Sequence, residues 1–216
     1  MQLTKFGHSC VRIEGDGGVL TLDPGGFSDA AGALAGAEAL LITHEHADHL
    51  DVPAVLAAAE ANPALRIWAP AAVAAQLSAL GDRVSAVGPG EQFEAAGLPI
   101  RTAGGQHALI HSSLPLVANV GFLIGAPGSA IYHPGDSLVV PTEPVDRLLA
   151  PIAAPWSKVG EVIDFVVAVR PRIAHQIHEA VVSAAGLGLA EGHVGRIGGG
   201  YGIEFQHLDT GSTVEV

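Results

Sequence analysis

Three histidines and two aspartates fall within the ten residues ITHEHADHLD, positions 42–51, directly after an apolar run. Imidazole nitrogens and carboxylate oxygens in this combination suit zinc, iron or manganese, and the lack of cysteine in the string removes the preference for a closed thiolate site. His44 and His46 are two residues apart, so in an extended segment they project from the same side, while Asp48 and His49 follow where the chain must turn. One short loop can therefore offer donors to two neighbouring points. It cannot complete either alone, so further donors must arrive from elsewhere in the chain.

The elements around this string have to position it. Residues 37–43 form a compact apolar run that reads as a strand, and VPAVLAAAEANP after the string reads as a helix. Asp51 is its expected N-cap, Pro53 lies in its first turn and Asn62-Pro63 stops it. The histidine string is thus expected in a strand-to-helix loop. Upstream, QLTKF, CVRIEG and VLTLDP are alternating or β-branched and parted by Gly-rich turns such as GDGG, which predicts a strand meander. Downstream, LRIWA reads as a strand, PAAVAAQLSALG as a helix ending at Gly81, and RVSAV, EQFEAAG and LPIRTAG as strands. NVGFLIG and SAIYHPG read as two strands around APGS, and VDRLLAPIAA as a helix or turn running into a strand. GEVIDFVVAV reads as an amphipathic helix and RIAHQIH as a short strand ending in histidine. The Gly-rich stretch GRIGGGYGIEFQHLDTGSTVEV predicts a loop and an edge strand. With no interdomain linker and no tandem repeat, residues 1–216 are expected to form one α/β domain whose sheets are covered by outer helices.

A chain of 216 residues with 49% hydrophobic content can bury a substantial core. Its formal net charge of −12 repels nucleic acid and anionic membranes, so neither is expected as a partner. A small-molecule substrate is expected, even an anionic one, because divalent ions can reverse the local field in an acidic protein. The start MQLTKFGHSCVRIEG has no basic segment followed by an apolar one, and no apolar span is long enough for a bilayer, so a cytoplasmic protein is expected. Self-association into a homo-oligomer stays open. The single cysteine, Cys10, reads as a buried structural thiol.

The chain resembles the metallo-β-lactamase superfamily, and within it the small cytosolic branch similar to ascorbate-6-phosphate lactonase-like hydrolases. The resemblance is carried in order by LTLDPG with Asp23, THEHADH, GGQHALIH with His107, YHPGDS with Asp136 and QIHEA with His178. It implies a four-layer αββα sandwich holding two divalent metal ions, zinc first, with manganese or iron as alternatives. Carried over position by position, it implies that His44, His46 and His107 hold one ion, and that Asp48, His49 and His178 hold the other. Asp136 would bridge both, and Asp23 would orient a histidine from behind. The implied activity is hydrolysis of a small ester, lactone or phosphodiester by a metal-bridging hydroxide, with Asp48 orienting the nucleophile and returning a proton to the leaving group.

Other residues are candidates beside that set. His111, four residues after His107, is placed as a catalytic candidate that contacts substrate or protonates the leaving group, against a surface role. His133 in YHPGD faces the cleft or makes a supporting hydrogen bond. His8 in FGHSC resembles the branch's Gly-His-Ser turn and could reach the rim. Lys158 could meet a substrate anion or serve as a solvated helix-end lysine, and the GGGYG loop with Tyr201 could be a flap or a tight turn. His175, His193 and His207 match no ligand position. Flavodiiron-type members carry glutamate where this chain has His46, class B1 enzymes use a cysteine in the second site, and the long nucleases carry an added domain. The competing readings are an iron-dependent sulfur or persulfide oxygenase on the same fold and a metal-binding protein without catalysis.

Overall fold

The amino-terminal meander forms as expected. In the computed structural model, which describes residues 1–216, β1 (Gln2–Gly7), β2 (Cys10–Gly15) and β3 (Gly18–Leu22) pair antiparallel in sequence order. The sheet then continues in parallel through β4 (Ala39–Leu41), β5 (Arg66–Ala69) and β6 (Val84–Ala86). The second sheet holds β7 (Gln92–Ala95), β8 (Leu98–Gly104), β9 (Val120–Ile124), β10 (Ile131–His133), β11 (Arg147–Pro151), β12 (Ile173–Ile177) and β13 (Glu204–Phe205), side by side in that order. β14 (Thr213–Glu215) returns to the first sheet and pairs antiparallel with β1.

The helices are α1 (Ala30–Leu34), α2 (Val52–Ala61), α3 (Ala71–Gln76), α4 (Val159–Val169) and α5 (Ala184–Gly199). Burial shows how the layers stack. Leu3, Ile13 and Leu22 from the first sheet meet Phe122, Ile124 and Leu149 from the second in an inner core. Val55 and Ala59 of α2 pack on Leu40, Ile42 and Ile67, while Phe165 of α4 and Val194 of α5 pack on Leu148, Ala150 and Ala174. This is the four-layer αββα sandwich the sequence implied. The apolar run before the histidine string has its physical reason here. Ala39 and Leu41 face the inner core and Leu40 and Ile42 the outer one, so both faces of β4 are buried and no polar alternation survives.

Three local expectations are corrected. VDRLLAPIAA opens without the helix that is one of its two sequence readings, while the strand it is expected to run into forms: residues 147–151 are fully buried between β10 and β12, whose parallel ladders satisfy their backbone. The helix expected to run to Gly81 stops at Gln76, and a 3₁₀ stretch with Gly81 at φ +61° follows. The Gly-rich end is not a free loop, because Ala184–Gly199 is helical and Tyr201 donates its N–H to Gly198 O at 2.8 Å. Six of the sixteen residues of α5 are glycine, so propensity opposes the helix and packing of Ala190 and Val194 against the second sheet creates it. Asp51 caps α2 as expected, accepting from Ala54 N–H at 3.0 Å, and Cys10 is fully buried, its thiol pushed up by burial. No helix is long and apolar enough to cross a membrane.

Candidate metal centre

Every motif histidine and aspartate follows the carboxyl end of a strand. His8 comes after β1, Asp23 after β3, residues 44–49 after β4, His107 after β8, Asp136 after β10 and His178 after β12. The two sheets thus deliver all of them to one edge of the sandwich, where loops rather than ladders set the side-chain directions.

The β3 and β4 loops are locked together by Asp23. Held at φ +44°, this buried carboxylate accepts from Thr43 N–H at 2.7 Å, from the Thr43 hydroxyl at 2.6 Å and from His49 Nδ1–H at 2.7 Å. Because the Thr43 proton goes to Asp23, its oxygen can accept from His44 Nδ1–H, 3.0 Å away. His178 Nδ1–H donates to Ala153 O at 2.8 Å, and His107 Nδ1–H to the Ala108 carbonyl. Four histidines therefore commit Nδ1 outward and turn Nε2 inward. A Cβ on Gly25 would collide with Asp48 O and His49 N, so only glycine lets the β3 loop approach the string this closely.

The inward nitrogens converge on Asp136. Its Oδ1 is 3.0 Å from His49 Nε2, and its Oδ2 is 3.2 Å from both His107 Nε2 and His178 Nε2 and 3.9 Å from His44 Nε2. The carboxylate is fixed from behind. Asp136 N–H donates to Asn119 Oδ1 at 3.0 Å, Asn119 Nδ2–H donates to Pro134 O at 2.8 Å, and Gly135 at φ +61° leaves no room for a Cβ beside Asn119 and Thr43. Trp156 Nε1–H adds a hydrogen bond to Oδ2 at 3.0 Å.

Donor atoms fall into two groups, each within 4.8 Å: His44, His46, His107 and Asp136 in one, and His8, Asp48, His49 and His178 in the other. His49 Nε2, His178 Nε2 and Asp136 Oδ1 are buried with no hydrogen-bond partner, although carboxylate oxygen and imidazole nitrogen stand about hydrogen-bond distance apart. Electron-pair donors facing each other at these distances require positive charge between them. Nitrogen and oxygen donors in this number fit divalent ions of the zinc, manganese and iron type. The titration behaviour has the same origin. Burial pulls His44 well below the ordinary imidazole value, helped by the neighbouring His49. For His49 and His178 burial acts in the same direction, but Asp136, joined by Asp23 at His49 and by the Ala153 carbonyl at His178, outweighs it and holds both raised. Burial pushes the Asp136 carboxyl up, yet His49, His107 and His178 reverse this and hold it well below the carboxylate range.

His8 is not at the rim, as the sequence allowed, but buried and packed at a tilt against His178 with ring centroids 4.3 Å apart. Its Nε2 is 3.2 Å from Asp48 Oδ2. Burial raises the Asp48 carboxyl, but the His8 hydrogen bond and the charge on His49 lower it further, to about 2. His133 also lies inside, donating Nε2–H to Ser9 O at 2.8 Å and accepting from Gly135 N–H at 3.1 Å, so it supports the Asp136 loop and does not face the cleft.

His111, expected against the substrate, is brought into neither group. Its ring is exposed and bonded to Ser113 Oγ at 2.7 Å on the outside of the segment between β8 and β9. Lys158 is 84% exposed and paired with Glu161 at 3.0 Å. His175 is a core histidine donating to Gln206 O at 2.9 Å, and His193 and His207 are exposed. Trp156 and Asn119 escaped sequence reasoning. Neither type signals a metal centre, and the one available sign was a tryptophan, one of two in the chain, just before Lys158.

Comparison with known proteins agrees with this fold. A family described as "Beta-lactamase superfamily domain" matches residues 2–178. Among curated proteins, "Protein Rv0786c" of Mycobacterium tuberculosis is 42% identical over 196 residues, covering 90% of this chain and 91% of its own. A "UPF0173 metal-dependent hydrolase" of Anoxybacillus flavithermus is 30% identical over 150 residues, covering 63% and 64%. Among solved structures, Igni18, described as a novel metallo hydrolase from Ignicoccus hospitalis, has the same fold with a TM-score of 0.77 at 19% identity, covering 99% of this chain and 97% of its own. With its αββα sandwich, its strand-end donors and a family match over most of its length, the chain belongs to the beta-lactamase superfamily.

Proposed function

We propose that the chain is a metal-dependent hydrolase that holds two divalent ions, zinc first among them, and acts on a small ester, lactone or phosphodiester. The observation that carries this reading is the commitment of Nδ1 to hydrogen bonds in His44, His49, His107 and His178, which leaves four Nε2 atoms turned toward Asp136. In this reading His44, His46 and His107 hold one ion, Asp48, His49 and His178 the other, and Asp136 lies between them. Such ions supply Lewis acidity and a hydrolytic water of lowered pKa.

The side chains do the rest. Asp48 lines the cavity beside the donors, ionised and tied by one oxygen to His8, so it can accept a hydrogen bond from the attacking water and hold it in line. Once it has taken that proton it can pass it to the leaving group. Asp136 is kept rigid by Asn119 and Trp156, so little reorganisation is needed as charge develops on the substrate. Trp156 also covers His107 and His178 edge-on, which limits water at the donors.

The test is elemental analysis after aerobic purification, coupled to hydrolysis of p-nitrophenyl esters, γ-lactones and bis-p-nitrophenyl phosphate, with Asp136→Ala as control. Zinc or manganese with turnover of at least one substrate, lost in Asp136→Ala, supports the reading. A single iron per chain with oxygen uptake on a persulfide overturns it.

A further inference from the structure

The cavity beside the donors is about 170 Å³, and the rest of its lining is apolar: Ile110, Pro155, Trp156 and Val181. Ile110 and Val181, 43% and 40% exposed, both border this space. The segment that carries Ile110 continues the apolar surface outward with exposed Leu109, Leu114 and Leu116.

No lysine or arginine lines the cavity. Lys158 lies in a separate open groove on the other side of Trp156, and its ammonium is engaged by Glu161. Any anionic part of a substrate would therefore be left to the ions that the donors hold in the proposed reading, and the apolar residues are free to receive the rest of the molecule. An uncharged carbon chain would find a wall that matches it.

We infer that this cleft selects substrates with a short apolar acyl or alkyl group, held against Ile110, Pro155, Trp156 and Val181. The inference rests on the hydrolase reading and says what side group its substrate carries. The chemical consequence is a chain-length ladder. Each methylene moved from water onto such a wall strengthens binding by roughly three- to four-fold until the space is filled.

Two measurements on the zinc-loaded protein test it. The first is calorimetric binding of straight-chain carboxylates from acetate to hexanoate, the product class of ester hydrolysis. The second is kcat/KM on the matching p-nitrophenyl esters. Affinity and kcat/KM should both climb by about three-fold or more per methylene over the first carbons. In Ile110→Asp, a change at an exposed position, the ladder should flatten while metal content stays unchanged. Equal affinity from acetate to hexanoate overturns the inference. If the carboxylate ladder appears but nothing is hydrolysed, the apolar subsite stands and the hydrolase reading falls; if esters are hydrolysed without a ladder, the reverse holds.

Discussion

His8 donates to Asp48 and does not compete with it for an ion. Ala180 N–H points at His8 Nδ1 at 3.3 Å, so Nδ1 is the acceptor and the proton sits on Nε2, which is 3.2 Å from Asp48 Oδ2. A protonated Nε2 has no lone pair for a metal. His8, although it stands among the second group of donors, is therefore a positioning residue for Asp48.

His8→Ala should accordingly weaken the second ion by about 10- to 100-fold, as loss of a supporting partner does, while the ion at His44, His46 and His107 is retained. His8→Asn, which keeps a donor and tolerates the φ of +50° at this position, should restore part of the affinity. Metal titration of the apoprotein reads both. Equal affinity in wild type and His8→Ala would remove the assignment.

Trp156→Phe keeps the aromatic cover but removes the indole N–H from Asp136 Oδ2. Hydrogen bonds to charged groups contribute about 1.5–3 kcal/mol, so the metal-free variant should melt lower by an amount of that order and kcat should fall while metal stoichiometry is unchanged. Thermal melts and steady-state kinetics on the same preparation check this. An unaltered kcat would mean that Asn119 and Gly135 alone set the carboxylate.

His111→Ala should leave metal content unchanged and kcat/KM within about two-fold, because the ring is exposed and turned to Ser113. A tenfold or larger fall in kcat at constant KM would return His111 to the leaving group.

Much of the centre was legible because its donors sit where strand periodicity breaks. β4 reads as a strand from its apolar run, Asp51 as a cap from its spacing to Pro53, and the histidines between them have no packing reason to exist. What the residues hid is what depends on contacts distant in sequence. His8 and Ala180 are 172 positions apart, so nothing local reveals that His8 is buried against Asp48. Trp156 and Asn119 reach Asp136 from two separate loops. In the fold, α5 was illegible because its glycines oppose the helix and its support comes from the sheet beneath.

That support leaves room for improvement. Nothing lies within 4 Å of a Cβ added at Gly192, inside α5, so Gly192→Ala should raise stability by about 0.5–1 kcal/mol. Urea unfolding of the metal-free protein measures it. A loss of stability would show that the helix is held in a conformation that tolerates only glycine there.

Metal content is the most direct test of the convergence of donors on Asp136. Elemental analysis of the wild-type protein, reconstituted with zinc and freed of excess, should give about two ions per chain. His44→Ala and His178→Ala, each removing a donor from a different group, should each lose about one of them and abolish turnover while the fold is kept. A wild-type protein that retains no ion, or His44→Ala and His178→Ala proteins that still hold two, would contradict it.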